Sequence, residues 1–218
     1  MADLRVDGLR KAYGDLLVLD GVSFTVGRGE FVAVIGPSGC GKSTLFDVVA
    51  GLEPPDGGRV LVDGADVTGR TDAFAYMPQQ DLLFRWRTVL DNTTLGLEVA
   101  GVRRRAARER ARPLFAEFGL AGFEGARPGE LSGGMRQRAA LLRTVVQERP
   151  VLLLDEPFGA LDALTRADMQ LWLSTVRARF DWTVVLVTHD IREALFLADR
   201  VVVGDGVAKP VEPGDEVE

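Results

Sequence analysis

At 218 residues the chain is long enough to bury a sizeable core, and its 46% hydrophobic and 27% charged composition is that of a globular domain, not a disordered or fibrous one. A net charge of −6 argues against general nucleic-acid binding, which leans on Lys and Arg contacts to phosphate. The single cysteine, Cys40, excludes an intrachain disulfide and fits a reducing cytosol; there is no apolar leader, and no apolar run approaches the ~20 residues of a membrane helix, so work at a membrane would require another chain to do the spanning.

The segment from Leu4 to Val26 alternates loosely between apolar and polar residues, with turn signals at Tyr13-Gly14-Asp15 and Asp20-Gly21, and reads as antiparallel strands. Gly57 to Val62 reads as another such strand, entering a turn at Asp63-Gly64. Four apolar runs, Phe31–Ile35, Phe74–Met77, Val151–Leu154 and Val184–Val187, read as buried strands. They alternate with helical stretches near 42–50, 132–148, 163–180 and 190–198, the pattern of a mostly parallel sheet covered on both faces. Residues 88–125 interrupt that alternation as a small helical insertion, and their Arg-rich stretch from Val102 to Arg112 reads as a solvated helix face. From Gly204 the chain is rich in Pro, Gly and Glu and is expected to be poorly ordered.

Gly36, Pro37, Ser38, Gly39, Cys40, Gly41, Lys42, Ser43 and Thr44 match the phosphate-binding pattern G-x-x-x-x-G-K-[ST]. The context is the one the chemistry needs. An apolar strand precedes the loop and a helix-compatible stretch follows, so glycine-bent backbone can aim successive N–H groups at phosphate oxygens while the helix adds its positive end. Lys42 is expected to reach the β- and γ-phosphates of a nucleotide, and Ser43 to offer its hydroxyl to Mg²⁺.

A second strand, Val151–Leu154, runs into Asp155 and Glu156. In parallel α/β sheets ligands gather at the carboxyl ends of strands. Asp155 there is expected to orient the Mg²⁺ shell, and Glu156, aimed differently, to polarise a water for in-line attack on phosphorus.

One further stretch separates the phosphate-hydrolysing families. Leu131, Ser132, Gly133, Gly134 and Met135 resemble the signature of the ATP-binding cassette (ABC) family, with Ser132 a good helix cap and two glycines that let backbone approach an anion. The resemblance extends from Leu4 to about Val203. It implies a P-loop α/β core with a mostly parallel sheet, an N-terminal antiparallel β subdomain and an inserted helical subdomain. The expected bounds are 1–87 and 150–203 for the core with its β lobe, 88–149 for the helical part and 204–218 for a tail.

It also implies roles. Tyr13 is similar to the aromatic that stacks on adenine, Gln79 to the glutamine that touches Mg²⁺ and the attacking water, and His189, the only histidine, to the residue that contacts the γ-phosphate. Gly159 to Asp162 resembles the loop that links two ATP sites. In this family two cassettes face each other head to tail, so Ser132, Gly133 and Gly134 would complete the partner's site in trans. The implied ligands are ATP and Mg²⁺. The implied partners are a second copy of the chain, a separate membrane permease and, indirectly, an extracytoplasmic solute-binding protein, with the chain peripheral on the cytoplasmic face and no nucleic acid involved.

The wording from Gln80 to Asn92 is similar to the permease-docking region of the subgroup serving nitrate, sulfonate, taurine and thiamine-precursor pyrimidine import, although that subgroup often has Pro where Arg85 stands. Two other readings fit the residues less well. A non-transport ABC protein usually carries a long coiled coil or tandem cassettes, and this sequence has neither; a regulator that no longer hydrolyses ATP is disfavoured by intact Lys42, Glu156 and His189.

Overall fold

The computed structural model describes residues 3–37, 39–177, 179–204 and 208–211, and they divide into two compact units. The first comprises residues 3–76 and 150–156 and the described residues from Arg177 on; the second comprises 77–149 and 157–176.

Two sheets and two helices make the first unit. In the antiparallel sheet, ordered β2-β1-β4-β5, β1 (Leu4–Tyr13) pairs with β2 (Leu16–Val26) and with β4 (Gly57–Val62), and β5 (Ala65–Asp66) closes the edge. Asp63 and Gly64 both adopt positive φ, 49° and 77°, which is the twist that a two-residue turn between β4 and β5 requires. The expected turn at Asp20-Gly21 is not one: both residues lie inside β2. The ladder steps from the pair Leu9–Val22 to Arg10–Asp20, leaving Gly21 (φ 73°) unpaired as a bulge. A glycine–aspartate pair carries the same composition in a bulge as in a turn, so the sequence could not separate the two.

The six-stranded sheet is ordered β10-β9-β3-β8-β7-β6, from β10 (Ala208–Val211), β9 (Arg200–Gly204), β3 (Phe31–Ile35), β8 (Thr183–Thr188), β7 (Val151–Asp155) and β6 (Phe74–Met77). The pairings β3–β8, β3–β9 and β7–β8 are parallel. Every residue of β7 and β8 is buried, which is why these strands read as unbroken apolar runs rather than alternating ones. Strand β10 falls within the stretch expected to be poorly ordered; it pairs antiparallel with β9 at the sheet edge. Residues 205–207 and 212–218 of that stretch lie outside the described residues. Helices α1 (Lys42–Val49) and α7 (Ile191–Leu197) belong to this unit, and one core joins Phe46 and Val48 of α1 to Leu4, Val34, Leu153 and Val187 of the strands.

Among the described residues the second unit holds five α-helices, α2 (Val89–Thr93), α3 (Leu95–Val99), α4 (Arg104–Glu117), α5 (Gly133–Val145) and α6 (Ala163–Arg177, its last residue counted with the first unit), and a short 3-10 helix, Pro128–Glu130. Helix α4 runs through Pro113, and its apolar side sinks Ala107, Ala111 and Phe115 completely. The arginine run is not wholly solvated. Arg104 and Arg108, one turn apart, converge on Asp91 of α2 at 2.7 and 2.6 Å, with the Asp91 side chain almost buried. Among the described residues no helix is long and apolar enough to cross a membrane.

Helix α5 starts at Ser132, whose hydroxyl accepts from the Met135 amide. The two glycines behind it differ. A Cβ on Gly134 would stand 2.9 Å from Thr165 Cγ2 of α6, whereas one on Gly133 would make an ordinary 3.5 Å contact with Leu161. Gly134 is thus set by the approach of α5 to α6, and nothing inside the chain demands a glycine at 133.

Two stability outcomes follow from this packing. Burial opposes the ionisation of Asp91, but hydrogen bonds from Arg108 and Arg104 outweigh it and hold the carboxyl below its ordinary range. A depressed native pKa stabilises in full above the unfolded value of 3.8, and the contribution is lost as pH falls from there through the lower native value, so Asp91→Ala should cost about 2 kcal/mol in urea unfolding at pH 7 and progressively less as pH is lowered below 3.8. Gly134→Ala should cost about 1–2 kcal/mol by overpacking, while Gly133→Ala should leave the melting temperature unchanged or slightly raised, as read by thermal unfolding.

Candidate functional site

Strand register brings the first unit's candidate residues together. Ile35 of β3 lies opposite Thr188 of β8, and Asp155 of β7 opposite Val187 of β8, so three adjacent parallel strands end at one edge. The loop 36–41 leaves that edge after β3, Asp155 and Glu156 after β7, and His189 after β8.

In the loop, Gly41 takes φ 94° and a Cβ there would press 2.9 Å from Val18 Cγ1, so only glycine closes this turn into α1. No side chain caps α1 and no acid lies in its first turn, which leaves the helix's positive end for an anion. The Lys42 side chain is buried, and its Nζ donates to the carbonyls of Gly36 (2.7 Å) and Pro37 (2.8 Å), bent back along the loop it stiffens. Cys40 Sγ stands 3.9 Å from that amine, half-buried. Pro37, Gly39 and Ser43 are exposed and Thr44 half-buried; the Ser38 position expected in the cradle lies outside the described residues.

Asp155 is almost fully buried. Burial, reinforced by the neighbouring Glu156 charge, pushes its carboxyl up to about 6, against the pull of a hydrogen bond from Tyr76 and of the Lys42 ammonium. Asp47 of α1 adds to the negative field, and its own carboxyl is raised by burial and by Glu53. A buried carboxylate beside a second, partly buried acid is a donor set suited to a divalent cation. Among the described residues no three His, Cys, Asp or Glu cluster as a closed metal cage, so an ion here would take oxygens from one carboxylate, a hydroxyl and a bound phosphate, the coordination Mg²⁺ favours.

Tyr76 was not anticipated from the sequence. Its Oη donates to Asp155 Oδ2 at 3.3 Å and its ring meets Phe46 edge-on. Burial first, then Asp155, raises the phenol's pKa, so it remains a donor. The only sequence signal was a lone polar handle within the apolar run Phe74–Met77.

Glu156 adopts φ 42°, a left-handed backbone that costs a non-glycine residue on the order of 1 kcal/mol. Its N–H donates to Val187 O, and its Oε1 lies 3.2 Å from His189 Nδ1. Asp190, next along, is spent on structure: its carboxylate caps α7 through the amides of Arg192 and Glu193. Tyr13, at the end of β1, is about half exposed (47%), with Lys11 Nζ 5.3 Å from its ring centre.

The remaining candidates belong to the second unit. Gln79 is exposed in the segment after β6. Ser132 is exposed and Gly133 half-buried at the start of α5, while Gly134 is buried against α6. Asp162 accepts from the Thr165 amide and so caps α6. Arg85 is exposed on the wall of a groove of about 710 Å³ that Asp81, Leu83, Arg127, Glu130 and Arg136 also line.

Residues 19–159 match the ABC transporter family. An aliphatic sulfonates import ATP-binding protein of Ralstonia nicotianae is 49% identical over 91% of this chain and 68% of its own length. A formylaminopyrimidine import ATP-binding protein of Halalkalibacterium halodurans is 46% identical over 85% of this chain and 72% of its own. Among solved structures, the dimeric cassette MJ0796 in a post-hydrolysis state with ADP and phosphate superposes with a TM-score of 0.81 at 29% identity, covering 96% of this chain and 98% of that one. The cassette cbiO1 of Clostridium perfringens, part of the cbiONQ complex, gives 0.83 at 27% identity over 94% and 86%. With the phosphate loop, the strand-end acids Asp155 and Glu156 and the signature helix all in the family's order, the chain belongs to the ABC transporter family and is one of its ATPase cassettes.

Proposed function

We propose that the chain is the ATP-hydrolysing subunit of an importer, working as a head-to-tail pair on the cytoplasmic face of the membrane and driving solute uptake through a separate permease. The observation that carries this reading is the placement of Glu156 against His189, beside buried Asp155, at the sheet edge from which the phosphate loop departs.

The division of labour follows from the groups. Tyr13 offers its half-exposed ring to adenine. The amides of loop 36–41 and of the first turn of α1 receive the phosphates, and Lys42 Nζ exchanges the Gly36 and Pro37 carbonyls for phosphate oxygens. Ser43, Asp155 and Gln79 would hold Mg²⁺, which when bound neutralises charge on the β- and γ-phosphate oxygens. Glu156 accepts a proton from water as the water oxygen attacks the γ-phosphorus and ADP departs. With Nδ1 turned to Glu156, His189 keeps Nε2 for the γ-phosphate. Ser132 and the N-terminal amides of α5, with Gly133 leaving room for close approach, serve the partner's nucleotide.

The segment 80–92 is the permease contact in this reading. Leu82, Phe84 and Trp86 are exposed on it, with the Phe84 and Trp86 rings stacked at 4.9 Å. The named relatives point to an aliphatic sulfonate or a formylaminopyrimidine as solute class, a choice that rests with the permease and its binding protein.

Glu156→Gln keeps the size of the side chain and a hydrogen-bonding partner for His189 while removing the proton acceptor. It should lower ATP turnover at least ~100-fold and retain ATP, with a dimer accumulating on size exclusion. Turnover at the wild-type rate would exclude Glu156 as the base.

A further inference from the structure

The loop after Gln79 is tied to the signature helix by two arginines of α5. Arg143 donates through Nη1 to Leu82 O (2.9 Å) and through Nη2 to Asp81 O (2.7 Å), a two-pronged grip on consecutive carbonyls by a guanidinium withdrawn from water. Seven residues earlier, two turns along the same helix face, Arg136 Nε lies 3.3 Å from the Asp81 carboxylate. Arg136 also donates through Nη1 to Leu131 O, in the residue just before the Ser132 cap. The other side of the loop is held by fully buried Asn92, whose side chain accepts from Phe84 N (2.7 Å) and donates to Phe84 O (3.1 Å).

Between these clamps Leu82 is forced into φ 44°, a left-handed conformation unfavourable for a γ-branched residue. The bonds to its own carbonyl and to the preceding one are the interactions that select it. The loop therefore has a held state, which needs Arg143, and a relaxed one, which does not.

We propose that Arg143 is a positioning residue that makes loop 81–84 and helix α5 one mechanical piece, so that the placement of this loop sets the placement of the Ser132–Gly134 segment. The proposal rests on the reading above for the role of that segment. The displacement passes through backbone carbonyls, so it depends on the fork of the guanidinium and not on charge alone.

Hydrogen exchange on the isolated chain and its steady-state ATPase test this. In Arg143→Ala, amides 81–84 should exchange faster, and so should those of the first turn of α5, at least tenfold, although that turn lies two turns from the substitution. The kcat should fall at least fivefold with KM for Mg·ATP within twofold. Arg143→Lys should show most of the same loss. Adding Leu82→Gly to Arg143→Ala should recover at least half of the kcat, because glycine adopts the left-handed conformation unaided. If Arg143→Ala does not fold, Arg143→Lys carries the comparison.

Unchanged exchange at the first turn of α5, an unchanged kcat, or no recovery on adding Leu82→Gly would overturn the proposal. Failure of the underlying reading has its own signature: Ser132→Ala would hydrolyse ATP at the wild-type rate, while the exchange result would still show whether loop and helix move together.

Discussion

Because Asp155 faces Val187 and Ile35 faces Thr188 across the ladder, the loops leaving β3, β7 and β8 all begin from one edge of the six-stranded sheet. Side chains alternate sides along a strand, so a slip of one residue in either pairing would send the Asp155 carboxylate to the opposite face. Val151 to Leu154 and Val184 to Val187 are all essentially inaccessible, so a slip would have to break every one of their packing contacts at once. The chemistry at the edge is therefore a consequence of core packing. The residues that fix it are aliphatic ones that never touch a nucleotide.

The same burial makes the edge electrostatically incomplete. Asp155 is buried with the acids Glu156 and Asp47 near it, while Lys42, whose charge favours the Asp155 carboxylate, is held by the carbonyls of Gly36 and Pro37. Tyr76 offsets part of the cost with a neutral donor, which holds the Asp155 carboxylate in place without cancelling its charge. An Arg in that place would satisfy Asp155 and would also remove its attraction for a cation. A phenol of raised pKa orients the carboxylate and leaves the charge available.

Much of this arrangement was legible in the sequence because local pattern and tertiary role coincide there. The runs Phe31–Ile35 and Val151–Leu154 are apolar because they are buried on both faces, and the loop 36–41 is glycine-rich because its backbone must bend. Legibility failed where one composition serves two geometries or where a partner lies far along the chain. Asp20-Gly21 is a bulge and not a turn because its pairing with β1 decides the matter, and that pairing is set by residues up to sixteen positions away. The arginines of α4 look solvated until Asp91 of α2 is placed against them. Tyr76 could not be matched to Asp155, 79 residues on, without the sheet order. The two signature glycines were indistinguishable on paper; the approach of Thr165 separates one that the fold requires from one that it does not.

That last distinction bears on what the signature segment can do. Ser132 accepts the Met135 amide and keeps its O–H to donate, and Gly134 is enclosed by α6, so the segment offers that hydroxyl proton, backbone amides and the positive end of a thirteen-residue helix, with Gly133 half-exposed beside them. These groups are donors, and none is a base that takes up a proton from water. Such an assembly can distinguish an anion from its absence but cannot transform it. A surface of that kind contributes to turnover only through where it is held, which places the weight on the interactions that orient α5: the Arg136 and Arg143 contacts to Asp81 and Leu82, and the close approach of Gly134 to Thr165. In the function proposed above, the reacting groups are fixed by a sheet and the anion-sensing ones by a helix. Sheet register is all-or-none, whereas a helix clasped at two points along one face can shift by small amounts, so that proposal assigns adjustable control of the reaction to the helix.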